Sequence, residues 1–240
     1  MIQFYAPDIE TTNMLPESDS QHCVRVLRMK TGDIIEVIDG KGFRYECKIL
    51  DAHQKRTQIE IINKTNIPLS WNNNITIAVA PTKHLDRMEW LIEKMTEIGI
   101  NNFIPLLCRH SERKEIKTER LEKIAISAMK QSLKAYMPKI VSMTPIKEFI
   151  TKYNASQKFI AYCDTSIPRL LFSNEYQANQ DTIILIGPEG DFSKEEINLA
   201  LENGYKPISL GDNRLRTETA ALVACNTCHI INQINQINQI

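Results

Sequence analysis

From residue 74 onward, short runs of β-branched residues alternate with segments of helical periodicity. The clearest helical segment spans residues 85–98, where apolar residues recur every three or four positions, and Gly99 is suited to end it. Strands that alternate with helices are typical of a mainly parallel sheet covered by helices. The predicted strands are 75–80, 103–107, 159–163, 182–186 and 207–210. This part of the chain is therefore predicted to be an α/β domain.

The first 70 residues have a different pattern, which favours a small β-rich domain. Residues 34–38 form a β-branched run, residues 39–42 read as a hairpin turn, and residues 43–50 alternate as a returning strand would. Another strand is predicted at 58–63, and a short helix at 22–29. We therefore place a domain boundary within residues 66–74, giving one domain over residues 1–70 and a second over residues 71–240.

Composition excludes several classes of protein. With 240 residues, of which 42% are apolar, the chain can bury a core and is not disordered. Lys+Arg and Asp+Glu are 29 each, so any binding to nucleic acid must come from local patches. The first ten residues have neither the basic start nor the apolar run of a leader peptide, and no later segment approaches about 18 consecutive apolar residues. We therefore expect no membrane segment and a cytoplasmic location. The six cysteines are expected to be reduced.

A Gly-Pro-Glu-Gly loop at residues 187–190 follows the predicted strand 182–186. Glycines let backbone approach a ligand closely, and ligands of parallel sheets bind at the carboxyl ends of strands. A capping box at Ser193 and Glu196 predicts that a helix begins just after the loop. A plain connection from strand to helix explains the loop equally well at this point.

A second polar loop follows the predicted strand 207–210 and leads into an Ala-rich helix. Two such loops on one sheet can form two walls of one pocket. Thr217 or Thr219 can instead cap the helix, and Glu218 is favourable in its first turn. Arg214 and Arg216 are harder to explain structurally, because positive charge is unfavourable at a helix N-terminus. A local rule broken in this way indicates function.

Two further patterns need an interpretation. Basic residues occur at His22, Arg25 and Arg28 and within residues 109–114. They can contact RNA or can simply form a solvated surface, and the sequence is consistent with both interpretations. Residues 225–229 match the C-x-x-C-H pattern of haem attachment, but no second C-x-x-C exists to complete a zinc site. We expect buried thiols there and no metal.

The last ten residues repeat Ile-Asn-Gln without charge or a turn former. The spacing of the isoleucines can prolong a helix by a turn or two. We interpret residues 231–240 as a low-complexity tail with a frayed end.

Residues 187–190, 210–211 and 215–221, at these separations, resemble the ribosomal RNA small subunit methyltransferase E family. The resemblance covers nearly the whole chain: residues 22–28 with 32–33 resemble its N-terminal PUA-like RNA-binding domain, and residues 94–99, 105, 111–113, 131–132 and 138 resemble motifs of its catalytic domain. It implies a SPOUT-type methyltransferase that works as a homodimer and whose C-terminal part is threaded into a deep trefoil knot. Periodicity does not indicate such a knot, since threaded loops are exceptional.

The resemblance also implies the cofactor, S-adenosylmethionine, and the product, N3-methyluridine in the decoding region of 16S (small-subunit) rRNA, whether the substrate is free rRNA or the assembled 30S subunit. Carried over to this chain, the cofactor-binding residues are Ile186, Gly187, Glu189, Gly190, Leu210, Leu215, Arg216, Thr217, Thr219 and Ala220. The RNA-binding residues are His22, Arg25, Arg28, Arg113 and Lys134.

Three positions depart from the family's pattern: Asp191 stands where a glycine is usual, Lys130 where a glutamate is usual, and Lys134 where an arginine is usual. Lys134 keeps the charge but loses the bidentate geometry of an arginine toward phosphate. Asp191 places a carboxylate beside the cofactor loop, and solvation alone would account for it.

Methyl transfer to uracil N3 requires removal of the N3 proton or stabilisation of the resulting anion. We expect Arg216, together with Arg113, to stabilise negative charge on the uracil or its flanking phosphates. Glu218 is the nearest candidate proton acceptor, although its role at the helix start explains it equally well. The alternatives are a non-catalytic RNA-binding protein and a related knotted enzyme that methylates tRNA or a ribose hydroxyl. Residues 111–113 and the N-terminal module favour the rRNA family.

Overall fold

The structure is a computed structural model that describes residues 2–164 and 168–238. Its contacts divide the chain into two compact units. The first contains Met1–Ser70 and Ile126–Met137, and the second contains Trp71–Ala125 and Pro138–Ile240. Each unit has its own sheet and its own core.

The first unit is built on a four-stranded sheet with the order β1-β2-β3-β4. Its strands are β1 (Gln3–Tyr5), β2 (Ile34–Ile38), β3 (Phe43–Asp51) and β4 (Gln58–Asn66). β1 pairs with β2 in parallel, and the other pairs are antiparallel, with Val37 opposite Tyr45. β2 has the bounds that the sequence predicts, and its β-branched run is largely buried, with Ile35, Val37 and Ile38 in cores.

Short helices precede β2, and they differ from the prediction. α1 (Ile9–Thr12) and α2 (Glu17–Gln21) are followed by one π-helical turn over His22–Val26. The predicted helix 22–29 is therefore wrong in type and in length. The chain leaves the helical conformation before residue 29, since Arg28 has a left-handed φ of 56°.

The second unit is built on an eight-stranded sheet with the order β10-β12-β9-β11-β5-β6-β7, and β8 also pairs with β6. Every strand pair found among the described residues is parallel, as the alternation of strands and helices predicts. The strands are β5 (Ile75–Val79), β6 (Asn102–Leu107), β7 (Lys139–Ile140), β8 (Thr144–Pro145), β9 (Gln157–Ala161), β10 (Leu170–Leu171), β11 (Thr182–Ile186) and β12 (Lys206–Ser209). β5 and β11 are buried along their whole length.

Helices connect these strands. They are α3 (Leu85–Ile98), α4 (Thr118–Gln131), α5 (Ile146–Lys152), α6 (Phe172–Glu175), α7 (Lys194–Glu202) and α8 (Thr217–Ile237). Two helix ends confirm the sequence prediction. Gly99 ends α3 with a φ of 135°, and Ser193 and Glu196 form a complete capping box at the start of α7.

Residues 126–137 belong to the first unit, although the sequence assigns them to the second domain. Met129 and Ala135 are buried against Ile38 of β2. The Lys130 ammonium lies 2.8 Å from the Asp19 carboxylate, which is almost fully buried. Lys130 therefore has an acidic partner within its own unit.

The prediction of a frayed tail is wrong for residues 231–237, because α8 continues through them. Asn232 is 2% exposed, and its side-chain oxygen accepts hydrogen bonds from the Tyr176 hydroxyl and the Asn179 amide at 3.0 Å each. Its side-chain nitrogen donates to the Asn73 side chain at 3.0 Å. These contacts, which are distant in sequence, fix the helix. Residues 239–240 lie outside the described part of the chain.

All six cysteines are free thiols; five are buried and Cys163 is exposed. Within residues 2–164 and 168–238, no helix is both long enough and apolar enough to cross a membrane.

Asn232→Ala tests the polar network at the end of α8. The substitution leaves buried donors and acceptors without partners, which costs about 1–3 kcal/mol each, so we expect a loss of about 2 kcal/mol in the free energy of unfolding. Gln236→Ala on the exposed side of α8 is the control and should change it by less than about 0.5 kcal/mol. Chemical denaturation of the full chain measures both. Equal effects of the two substitutions would mean that the network does not hold the helix.

Candidate active site

The two predicted loops follow β11 and β12, which lie on either side of β9 in the parallel sheet. Their carboxyl ends therefore meet at one edge of the sheet. The Thr217 hydroxyl, at the start of α8, donates a hydrogen bond of 3.0 Å to the carbonyl of Gly187. The structure thus brings the two loops into direct contact.

The glycines of the first loop are required by protein neighbours. A Cβ on Gly187 would lie 3.1 Å from the Phe192 ring, and a Cβ on Gly190 would lie 3.1 Å from the Cβ of His110. Both distances are tighter than ordinary van der Waals contacts. Phe192 and His110 therefore lie close to the two glycines and shape the loop, and the role of these glycines toward a ligand stays a prediction.

Glu189 and Asp191 anchor this loop to its neighbours. The Glu189 carboxylate accepts a hydrogen bond of 3.0 Å from the Lys83 amide, in the connection after β5. The Asp191 carboxylate accepts a bond of 2.8 Å from the Cys163 amide, in the connection after β9. The expectation that the Asp191 carboxylate is simply solvated is therefore wrong, because it binds a backbone amide. Sequence reasoning missed both contacts, because their donors are backbone amides.

The start of α8 lacks the predicted side-chain cap. Arg216 occupies the N-cap position in an extended conformation, and no side chain there accepts a bond from the helix amides. Thr217 uses its hydroxyl on Gly187, and Thr219 is half-buried. The capping interpretation of these threonines is wrong, because the first of them joins the two loops.

Glu218 is buried in the first turn of α8, where a carboxylate is favourable. One of its oxygens lies 3.7 Å from the Arg87 guanidinium on α3. The other, Oε2, is buried and has no hydrogen-bond partner among the described residues. Because an unsatisfied buried acceptor is unfavourable, this oxygen is suited to receive a donor or a cation from a ligand.

Arg214 and Arg216 are exposed on the second loop, and neither guanidinium has an ion-pair or hydrogen-bond partner among the described residues. Ile186 is buried at the end of β11, whereas Leu210, Leu215 and Ala220 are half-buried. This edge of the sheet therefore combines apolar surface with a buried carboxylate oxygen and two guanidinium groups that have no hydrogen-bond partner in the described part of the chain.

Arg113 has a structural use in addition to its predicted one. Its guanidinium donates to the carbonyls of Thr82 and Lys83, at 3.2 and 2.7 Å. The Lys83 amide is the group that Glu189 binds. Arg113 therefore shapes the connection after β5, which holds the first loop.

The predicted RNA-binding residues lie in the first unit, apart from Arg113. Arg25 is exposed and donates to the Gln54 side chain at 2.6 Å, while Arg28 is exposed with its left-handed φ. His22 is half-buried. Lys134 is also half-buried, and burial lowers the pKa of its amine. The contact of these residues with RNA stays a prediction.

An open groove of about 1010 Å³ lies in the first unit. Leu27 and Met29, on either side of Arg28, line it together with Arg44, Asn63 and Thr65. The groove offers apolar surface and hydrogen-bonding groups beside a predicted RNA contact.

The C-x-x-C-H segment is part of the core. Cys225 and Cys228 are fully buried, and burial raises the pKa of Cys225 to about 12. The His229 ring nitrogen Nε2 lies 2.7 Å from the carbonyl of Gly99 at the end of α3. Across residues 2–164 and 168–238, no group of three or more His, Cys, Asp or Glu side chains is arranged to hold a metal ion.

Comparison with known proteins matches most of the chain to two domains of RNA methyltransferases. A family model described as an RNA methyltransferase domain matches residues 70–229. A second, described as an RNA methyltransferase PUA domain, matches residues 15–62.

Curated relatives named ribosomal RNA small subunit methyltransferase E include the protein of Rickettsia conorii, which is 30% identical over 83% of this chain and 81% of its own length. The Buchnera aphidicola protein is 30% identical over 90% of this chain and 87% of its own length.

Solved structures are similar over both units. A probable rRNA-methyltransferase from Porphyromonas gingivalis is 46% identical with a TM-score of 0.93, covering 98% of this chain and 100% of its own. The ribosomal RNA small subunit methyltransferase E of Neisseria gonorrhoeae, bound to S-adenosyl methionine, is 26% identical with a TM-score of 0.83, covering 96% of this chain and 98% of its own.

Thr217→Val tests the contact between the loops. Valine keeps the shape of threonine but removes the hydroxyl, so the Gly187 carbonyl loses its donor. We expect a loss of about 1 kcal/mol in the free energy of unfolding and faster hydrogen exchange of the amides of residues 187 and 189–192. Thr217→Ser, which keeps the hydroxyl, should behave like wild type in the exchange measurement. Unchanged exchange in Thr217→Val would mean that the loops are held by other contacts.

Proposed function

The chain belongs to the ribosomal RNA small subunit methyltransferase E family, and from this premise we propose that it methylates N3 of a uridine in the decoding region of small-subunit (16S) rRNA, with S-adenosylmethionine as methyl donor. The observation that carries the proposal is the joined pair of loops at the ends of β11 and β12, with the buried Glu218 carboxylate beside them. A sheet edge of this kind is where parallel α/β domains bind ligands.

The residues at this edge fit the cofactor chemically. S-adenosylmethionine carries a sulfonium and an ammonium group as well as an aromatic adenine ring, whose faces pack against apolar side chains. Glu218 Oε2, which is buried without a partner among the described residues, suits a positive charge or a donor. The apolar side chains of the two loops suit the ring. The residues proposed to hold the cofactor are Ile186, Gly187, Glu189, Gly190, Leu210, Leu215, Arg216, Thr217, Thr219 and Ala220.

When bound, the cofactor supplies an electrophilic methyl group on a sulfonium. The chain's own part is to place the uracil in line with that group and to manage the N3 proton. Arg216, which is exposed and unpartnered within the described residues, is proposed to stabilise the negative charge that develops on the uracil. Glu218 is proposed to accept the N3 proton, although its 3.7 Å contact with Arg87 also gives it a part in packing α8.

Arg113 is proposed to act mainly as a positioning residue. Its bonds to the Thr82 and Lys83 carbonyls use two of its donors on the backbone. Any direct contact of Arg113 with RNA would use its remaining donors. This refines the catalytic role that the sequence suggests.

We also propose the knot that the resemblance implies. Along the chain, β9 is followed by β10 and β11, and the chain then returns to β12, which lies on the other side of β9 from β11. The helix α8 then packs against β5, β11 and α3. This return across earlier strands supports a threaded C-terminal part.

A homodimer is proposed as well. α8 exposes Ile230, Ile234 and Ile237, at spacings of four and three that place them on one face. Exposed apolar side chains on one face favour a protein partner. Sedimentation of the full chain measures the oligomeric state.

A cytoplasmic location is also proposed, because the proposed substrate is rRNA.

The substrate is tested with the full chain and S-adenosylmethionine on free small-subunit rRNA and on assembled 30S subunits, followed by mass-spectrometric mapping. A fragment starting at residue 71 is unsuitable, because it would expose Met129 and Ala135, which pack in the first unit. We expect one N3-methyluridine in the decoding region. RNA binding without methylation would indicate a non-catalytic RNA-binding protein, and methylated tRNA or ribose would indicate another knotted enzyme.

Arg216→Ala tests the proposed charge stabilisation. Removing one preorganised donor lowers the rate about 10²- to 10³-fold, so we expect at least about 10²-fold slower methylation of saturating RNA. Cofactor affinity should stay within about tenfold, since only interactions made in the transition state accelerate the reaction. Single-turnover kinetics with calorimetry separate the two quantities. A normal rate with weakened cofactor binding would make Arg216 a pocket residue only.

Arg25→Ala combined with Arg28→Ala tests RNA docking by the first unit. Each lost phosphate contact should reduce the slope of log affinity against log salt by about 0.7 to 0.9. Lys55→Ala, also exposed in this unit, is the control and should leave the slope unchanged. The same slope in the double variant would assign these arginines to the unit's own surface.

A further inference from the structure

Asp191 has an unusual backbone conformation beside the proposed cofactor loop. Its φ is 64°, in the left-handed region that glycine and asparagine adopt most easily. Its amide donates to the Pro188 carbonyl at 2.9 Å and closes the turn of the loop. An aspartate in such a position needs a reason, because glycine would adopt the same φ at less cost.

The reason lies in what the carboxylate binds. One oxygen accepts a hydrogen bond of 2.9 Å from the Phe192 amide, and the other accepts one of 2.8 Å from the Cys163 amide. The Asp191 carbonyl in turn lies 3.1 Å from Nδ1 of His110, in the connection after β6. Hydrogen bonds to a charged acceptor are roughly twice as strong as neutral ones. One residue therefore ties the loop to two other connections of the sheet.

The loop is anchored from both sides of its strand. In the sheet, β11 lies between β9 and β5. Asp191 binds the Cys163 amide after β9, and Glu189 binds the Lys83 amide after β5. The two carboxylates thus fix the loop between the connections of the neighbouring strands.

We propose that Asp191 is a positioning residue that holds residues 187–190 in the conformation that binds S-adenosylmethionine. This inference rests on the proposed function. Asp191 reaches the pocket only through the backbone of the loop. It therefore determines the fraction of molecules whose loop is in the binding-competent conformation. When that fraction falls, the apparent affinity for S-adenosylmethionine falls in proportion. The rate at saturation should be unaffected, because a bound cofactor restores the loop.

Asp191→Gly removes both accepted bonds without adding backbone strain, because glycine adopts the same φ freely. We expect the Kd for S-adenosylmethionine, measured by calorimetry on the full chain, to rise about tenfold, while kcat at saturation of both substrates stays within about twofold. Asp191→Asn tolerates the left-handed φ and keeps one acceptor oxygen, so its Kd should lie between those of wild type and Asp191→Gly. Cofactor binding is then weakened in a graded way while kcat stays nearly constant. Loss of stability alone would not produce this combination.

Asp181→Gly is the matched control. Asp181 lies just before the amino end of the same strand, β11, and its carboxylate accepts a bond of 2.7 Å from the Asn74 amide. The substitution removes the same kind of contact, an aspartate carboxylate bound to a backbone amide, at the opposite edge of the sheet. The Kd for S-adenosylmethionine should therefore stay at the wild-type value. A wild-type Kd in Asp191→Gly, or an equal rise in both variants, would overturn the inference. If the wild-type chain itself did not bind the cofactor, the proposed function would fail along with it.

Discussion

The hydrogen bond from the Thr217 hydroxyl to the Gly187 carbonyl joins two loops that are 30 residues apart in the chain. It forms because β11 and β12 are parallel and end at one edge of the sheet, on either side of β9. The helix α8 starts at this contact and carries Glu218 and Arg216 with it. The proposed pocket therefore depends on the parallel register of three strands more than on the polarity of either loop.

Arg216 and Glu218, two positions apart at the start of α8, have opposite environments. The Arg216 guanidinium is exposed and has no partner in the described part of the chain, whereas Glu218 is buried and one of its oxygens has no hydrogen-bond partner there. An exposed guanidinium can meet a large substrate such as RNA, and a buried carboxylate can meet a small ligand or a single proton. This division is consistent with a site that brings a small cofactor and a polynucleotide together.

Local patterns in the sequence were sufficient for most of the elements. The β-branched run of β11, the end of α3 at Gly99 and the capping box of α7 depend on residues close in sequence, and each was predicted. The continuation of α8 was not, because Asn232 is fixed by Asn73 and Tyr176, which are distant in sequence. The roles of Arg113 and Asp191 were also missed, since both bind backbone groups, which sequence patterns do not reveal.

The cofactor is proposed to bind between the loops that follow β11 and β12. A crystal structure of the full chain with S-adenosylhomocysteine, the product form of the proposed cofactor, tests this placement. We expect the ligand between residues 187–190 and 210–220, with the bonds from Thr217 to Gly187 and from the Cys163 amide to Asp191 intact. A ligand bound elsewhere, or one that separates the two loops, would contradict it.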